Sequence, residues 1–213
     1  MLGDWSDPAG MPYNQYTPRT SDFMLDHFRS FARFTGNAAW GTVVARSQAV
    51  VNELQASHSA ETGLLPDFVV PASGTDHTPR PAPAGFLEGP NDGRYYYNAC
   101  RTPWRLGADG LLSGDATSLA QARRMAAWSR DSTGGDPRRI RAGYRLDGAP
   151  VSGSEYFTTA FAAPLAVAAM TDPSLQAWLD DLYEAVREHP EDYYEDCLAL
   201  LSLLVLSGNY WAP

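Results

Sequence analysis

The sequence has 213 residues, enough for one domain of ordinary size, and its 44% hydrophobic content supports a packed core rather than a disordered chain. The formal net charge of −9 argues against a nucleic-acid partner, because binding a phosphate backbone requires clustered Lys and Arg residues. No apolar run reaches the length of about eighteen residues that predicts a membrane span, and the first residues lack the basic and apolar regions of a signal peptide.

The first part of the chain predicts two helices followed by a long loop. Thr20 or Ser21 is positioned to cap the first helix, and Gly36 is positioned to end it. Asn37 is expected to cap the second helix. Residues 57–92 are dense in Pro and Gly and show no helical period, but their apolar side chains predict an ordered loop that packs on the body of the domain.

Residues 95–105 predict a helix with two different faces. One face carries apolar side chains at helical spacing, namely Tyr96, Ala99, Cys100, Pro103 and Trp104. The other face carries Tyr97, Asn98, Arg101 and Arg105. Pro103 lacks a backbone donor, so a kink is expected. Ordinary packing with solvated Arg side chains is one interpretation; a functional surface is the other, because the polar face follows a glycine-rich loop that carries Glu88 and Asp92.

Further helices are predicted after the turn at residues 110–114. Asp115 or Thr117 is expected to cap the next helix. A turn-rich segment follows, and residues 155–170 then predict a helix dominated by Ala, which allows close approach of its neighbours. Glu155 is interpreted as a first-turn charge favoured by the dipole of that helix.

The last two helices complete an all-α prediction. Asp172 followed by Pro173 indicates the start of one helix. The other, residues 192–206, is apolar almost all round and is therefore predicted to be central. About seven helices and no convincing strand pair predict one domain over residues 1–213, a helical toroid or solenoid rather than a four-helix bundle.

Reactive and aromatic side chains narrow the possible chemistry. Cys100 and Cys197 both lie in helical patterns with apolar neighbours, which indicates two buried free thiols; a disulfide between the two helices is the alternative. No metal-ligand spacing occurs, so neither a metal nor another cofactor is expected. Six Trp and eleven Tyr suit stacking on sugar rings, although core packing is their commoner use.

Three stretches of the sequence resemble glycoside hydrolase family 8. The first is TGLLPDF at residues 62–68, followed by PASG at 71–74. The second is YYNACRTPWR at 96–105 with SGD at 113–115, and the third is the pair Tyr193 and Tyr194 leading into LLSLLVLSGNYW at 200–211. The resemblance implies an (α/α)6 barrel that hydrolyses a β-1,4-linked glucan, xylan or chitosan with inversion. It also implies secretion.

The resemblance assigns roles to individual side chains. An inverting site uses an acid on one side of the bond and, roughly 6.5–9.5 Å away, a base that activates water. Many family members have an Asp base where this chain has Asn98, and an amide cannot serve as that base. A subgroup with Asn there takes its base from a Glu in the preceding loop, which Glu88 matches. Tyr97 and Arg101 match the residues that hold the nucleophilic water.

Four further residues are predicted to bind substrate. Trp5, Trp104 and Tyr193 are candidate sugar platforms, with core packing as the competing interpretation for each. Asp92 shares the loop of Glu88, as does Asp67, so both are expected on the base side of the bond.

The general acid of the family has no counterpart in this sequence. The chain matches the second half of the family domain, so it is predicted to be a C-terminal fragment, a natural truncation or a divergent half-domain. An endo-glycosidase that carries the base side is the first function expected, and a non-catalytic carbohydrate-binding half is the alternative; a helical interaction module is the third. Apolar faces left open predict a homo-oligomer, a missing N-terminal half or rearranged first helices.

Overall fold

The structure is a computed structural model that describes residue 14 and residues 16–211. Within these residues there are seven α-helices: α1 (Leu25–Thr35), α2 (Ala39–Ser57), α3 (Thr102–Ser113), α4 (Ala116–Thr133), α5 (Thr159–Ala169), α6 (Gln176–Arg187) and α7 (Tyr193–Leu206). None of the helices in the described residues is both long and apolar enough to span a bilayer. The all-α prediction is confirmed.

The helices form two layers. The first layer is the row α1, α3, α5 and α7, in which each helix packs on the next. The second layer is α2, α4 and α6. Helices α4 and α6 each pack on both first-layer helices that flank them in sequence, whereas α2 packs on α1 and on α4. Every residue of α5 is buried, because its Ala-rich surface lets four neighbouring helices approach it. Alternation between layers is the arrangement of an α/α toroid, and seven helices make up only part of a twelve-helix barrel.

Local sequence signals explain several helix boundaries. The Asp115 carboxylate accepts a hydrogen bond from the Ser118 amide at the start of α4, so the predicted cap is confirmed. Gly36 ends α1 in the left-handed conformation, with φ of 66°, as predicted. The Asn37 side chain accepts a hydrogen bond from the Ala39 amide at the start of α2.

Two expected helix starts and one expected kink are wrong. Residues 95–98 are not helical, and Pro103 lies in the first turn of α3, where its missing N–H removes no helical hydrogen bond and causes no kink. The Ala-rich helix begins at Thr159 rather than at residue 155. Glu155 therefore does not charge its first turn; its carboxylate accepts a hydrogen bond from the Gly153 amide instead.

The long loop between α2 and α3 is ordered and packs on the body, as predicted. It contains a short antiparallel pair, β1 (Val69–Pro71) and β2 (Pro79–Pro81), which corrects the expectation of no strands. Three-residue strands with proline have no alternating pattern that sequence reasoning could recognise. The loop approaches itself closely at Gly93, where an added Cβ would lie 2.1 Å from the Ala82 carbonyl oxygen.

The two ends of the first layer expose apolar side chains. Phe34 on α1 is 91% exposed and Leu200 on α7 is 60% exposed. Helix α7 is therefore an edge element and not the central helix predicted, because only one side of it packs on α5 and α6. Both cysteines are free, which confirms the thiol prediction; Cys100 is buried and Cys197 partly buried.

Candidate functional site

The candidate site lies where the N-terminal ends of three first-layer helices meet. Tyr194, in the first turn of α7, donates a hydrogen bond to the carbonyl oxygen of Tyr97 just before α3, at 2.5 Å. Glu191, just before α7, accepts hydrogen bonds from the amide and hydroxyl of Thr159 in the first turn of α5, both at 2.6 Å. These contacts tie the segments before α3, α5 and α7 into one surface.

Glu88, Asn98 and Arg101 form a chain of hydrogen bonds on this surface. The Asn98 side-chain N–H donates to Oε2 of Glu88 at 2.7 Å. The Asn98 oxygen accepts from a guanidinium N–H of Arg101 at 3.0 Å, so the two partners together orient the amide. The Glu88 side chain is 45% exposed, and its Oε1 accepts from Arg19 at 3.3 Å. The structure thus brings three predicted site residues together around one accessible carboxylate.

Asp92 shapes the loop that carries Glu88. Its carboxylate accepts three backbone hydrogen bonds, from the amides of Leu87 at 2.7 Å, Glu88 at 3.2 Å and Gly89 at 3.0 Å. The side chain is buried and its oxygens are used within the loop. The expectation that Asp92 contacts substrate is therefore wrong, and the residue positions the backbone of Glu88 instead.

Asp67 does the same for the segment that carries Asn98. Its Oδ1 accepts from the amides of Tyr96 at 3.0 Å, Asn98 at 3.2 Å and Ala99 at 2.6 Å. Burial raises the pKa of the Asp67 carboxyl to about 7, although these three donors oppose the rise. The buried Asp67 replaces helical hydrogen bonds at this point, which explains why residues 95–98 do not continue α3 toward the N-terminus.

The Tyr97 side chain contacts two further tyrosines where the segments before α3, α5 and α7 meet. The hydroxyls of Tyr97 and Tyr156 are hydrogen-bonded at 2.9 Å, and the rings of Tyr97 and Tyr194 are in contact. Burial raises the pKa of Tyr97 and of Tyr194, so both remain neutral phenols able to donate a hydrogen bond. Sequence reasoning missed Tyr156 because it assigned that position to a helix; no local motif marks it.

The three predicted sugar platforms lie in different environments. Trp5 is outside the described residues. Trp104 is 4% exposed and belongs to the hydrophobic core, so its ring has no free face and the platform prediction is wrong. Tyr193 is 86% exposed at the start of α7 and is free to contact a ligand.

The arrangement is suited to moving a proton at Glu88. A carboxylate held by two hydrogen bonds has lone pairs left to accept a proton from a water molecule. The described residues contain no group of three or more acidic, His or Cys side chains able to hold a metal ion. The polar groups found on this surface are the Glu88 carboxylate, the Asn98–Arg101 pair and the Tyr97 hydroxyl.

Comparisons with known proteins identify relatives over nearly the whole chain. The family described as "Glycosyl hydrolases family 8" matches residues 9–208. A β-glucanase from Niallia circulans is 43% identical over 211 residues, which are 99% of this chain and 50% of that protein. An endoglucanase from Bacillus sp. (strain KSM-330) is 33% identical over 213 residues, covering 100% of this chain and 43% of that enzyme.

Solved structures resemble this fold. A β-1,3-1,4-glucanase from Paenibacillus sp. X4 superposes with a TM-score of 0.90 at 40% identity, over 96% of this chain and 53% of that one. A xylanase from Teredinibacter turnerae superposes with a TM-score of 0.72 at 22% identity, over 92% of this chain and 47% of that one, which shows the fold alone. The chain thus spans about half the length of the relatives it matches.

Proposed function

Because this chain belongs to family 8 of the glycosyl hydrolases, we propose that it carries the base side of an inverting endo-glucanase site. The observation that carries the proposal is the hydrogen-bonded chain from the Glu88 carboxylate through Asn98 to Arg101. It supplies an accessible base on an ordered loop and replaces the Asp base that an amide at position 98 cannot provide.

Each residue has a distinct role in the proposed reaction. Glu88 accepts a proton from water as the water oxygen bonds to the anomeric carbon. Asn98 holds Glu88 and is itself held by Arg101, which keeps the carboxylate in one position. Tyr97 is a neutral donor to the attacking water, and its hydroxyl is positioned by Tyr156. Asp67 and Asp92 act through the backbone and touch neither water nor sugar.

The proposed substrate is a β-linked glucan. The relatives at 43% and 33% identity are named β-glucanase and endoglucanase, and the structure at 40% identity is a β-1,3-1,4-glucanase. The exposed ring of Tyr193 is the proposed contact for a sugar face, since aromatic rings pack well against apolar sugar surfaces. A polymeric substrate also favours a site of action outside the cell.

The proton for the leaving oxygen must come from the opposite face of the sugar. Neither Asp67 nor Asp92 can supply it, because both are buried and hydrogen-bonded within their own loops. We therefore place the general acid on the half of the family domain that this sequence does not include. That half is proposed to cover the apolar side chains exposed on α1 and α7. A non-catalytic glucan-binding half is the competing function.

Release of reducing ends from lichenan tests the proposal. The chain alone should show at most trace activity, since one general acid contributes about 10²–10⁴-fold. Co-expression with the unmatched half of the Niallia circulans β-glucanase should restore activity, with the two halves of that enzyme as positive control. Robust hydrolysis by the chain alone would contradict the base-side assignment. If the restored activity is unchanged in Glu88→Gln, Glu88 is not the base.

A glucan-binding assay distinguishes the proposed hydrolase from the competing non-catalytic function. The chain alone should be depleted from solution by insoluble β-glucan if it retains the glucan contact. Binding without restored activity in the co-expressed pair, while the positive control is active, would favour the non-catalytic half. Carboxymethylcellulose, xylan and chitosan complete the substrate panel, and a preference for xylan or chitosan over lichenan would refute the glucan assignment.

A further inference from the structure

Arg105 is a first-layer arginine that forms no ion pair with any carboxylate of residues 14 and 16–211. It lies one helical turn after Arg101 on α3, and its guanidinium stacks on the Trp104 ring at 3.9 Å. Its Nε is buried without a hydrogen-bond partner, and no carboxylate of the described residues lies within ion-pair distance. Burial lowers the pKa of Arg105, which reflects the cost of keeping this charge partly out of water.

The nearest carboxylates, Asp26 and Asp22, favour the charge of Arg105 through space, but neither lies within ion-pair distance of it. The Asp26 carboxylate is already engaged by Nδ1 of His27 and by the Tyr210 hydroxyl, each at 2.8 Å. Arg101 lies nearby and repels Arg105, because both are cations. The described chain therefore leaves a partly buried guanidinium with no directly bonded carboxylate, which is unfavourable unless another group pairs with it.

Arg29 shows what a satisfied arginine looks like in the same layer. Its Nε lies 2.7 Å from Oδ1 of the buried Asp109, and one terminal nitrogen lies 3.1 Å from Oδ2. The same nitrogen lies 3.0 Å from the Asp115 carboxylate. Two arginines of the first layer thus have opposite environments, one with a bidentate carboxylate and one with none.

We propose that Arg105 is a binding site for a carboxylate supplied by the half of the family fold that this sequence does not include. The inference rests on the proposed function, which places that half against α1 and α7. A carboxylate fits better than a sugar hydroxyl, because the guanidinium fork matches two carboxylate oxygens and a neutral hydroxyl does not offset the charge. Arg105 is thus a docking residue between halves and not part of the base machinery.

Thermal unfolding of the chain alone gives the first test. Arg29→Met should lower Tm by roughly 6–20 °C, because it leaves Asp109 buried without its partner. Arg105→Met should lower Tm by less than about 4 °C or raise it, since it removes a partly buried charge that has no ion pair while keeping an apolar contact with Trp104. A loss greater than about 4 °C in Arg105→Met would show that Arg105 is already satisfied and would overturn the proposal.

Nuclear magnetic resonance of the Arg105 Nε–H gives the second test, with formate as the probe. Formate should shift this resonance saturably, and chloride at equal ionic strength should not. No saturable shift, or the same shift with chloride or with a neutral cello-oligosaccharide, would overturn the carboxylate assignment.

Co-expression with the unmatched half of the Niallia circulans enzyme identifies the source of the carboxylate. In the assembled pair the formate response should disappear, and Arg105→Met should weaken the association of the halves on the order of 100-fold. If formate still shifts the Arg105 resonance in the assembled pair, the carboxylate does not come from the other half, and the proposal is refuted. These readouts do not depend on Glu88, so they fail separately from the proposed catalytic function.

Discussion

Replacing Asp67 by asparagine should change how stability depends on pH. The folded protein holds this carboxyl at a pKa of about 7, against an ordinary value of 3.8, so the folded state keeps a proton that the unfolded state releases. Stability from this group is fully present below about pH 4 and is lost as pH rises toward 7. Each pH unit between the two pKa values changes the free energy of unfolding by about 1.4 kcal/mol. The rise from 3.8 to about 7 therefore gives a loss on the order of 4 kcal/mol. The amide introduced by the substitution does not titrate and keeps an oxygen for the Tyr96, Asn98 and Ala99 amides.

Urea unfolding of the wild type and of Asp67→Asn at pH 4, 5, 6 and 7 measures this effect, with tryptophan fluorescence as the signal. The difference in unfolding free energy isolates Asp67, because the other titrating groups are common to both proteins. The wild type should lose stability relative to the variant at each increase in pH. A constant difference, or a relative gain by wild type, would mean that the three backbone donors keep Asp67 ionised throughout, and the reasoning from burial would be refuted.

Three further substitutions test packing and substrate contact. Trp104→Ala should cost about 3–5 kcal/mol in urea unfolding because the ring is in the core, and a cost below about 1 kcal/mol would contradict that position. Tyr193→Ala should leave the free energy of unfolding unchanged within about 0.5 kcal/mol, because the side chain is exposed. The same substitution should weaken binding to insoluble β-glucan about tenfold. Binding equal to that of wild type would show that Tyr193 is not a sugar contact. Gly93→Ala should destabilise the chain by more than about 1 kcal/mol, because the new Cβ collides with the Ala82 carbonyl; wild-type stability would show that this approach is loose.

Helix number and several caps were predictable because their signals are local. Asp115 caps the helix that follows it, and Gly36 adopts the left-handed conformation that ends α1. Both depend on residues within one turn of the boundary. The segment before α3 was mispredicted because Asp67, about thirty positions earlier, takes the amides that a helix would have used. Such a long-range replacement leaves no mark in the local pattern.

Residue identity predicted the polar side chains of the site better than it predicted their environments. Glu88, Asn98 and Arg101 were placed together by resemblance, and the structure joins them by hydrogen bonds. Trp104 and Asp92 were assigned to substrate because of residue type, but both are buried by packing that depends on the whole loop. Tyr156 was missed because its contact with Tyr97 joins segments 59 positions apart.

The proposed catalytic role of Glu88 is tested most directly by lichenan hydrolysis in the assembled pair of halves. Glu88→Gln keeps the hydrogen-bond acceptor toward Asn98 but cannot take a proton from water. The account predicts that this substitution lowers the hydrolysis rate about 10²–10⁴-fold while circular dichroism and association of the halves stay unchanged. A variant that assembles normally and hydrolyses lichenan at the wild-type rate would contradict the account.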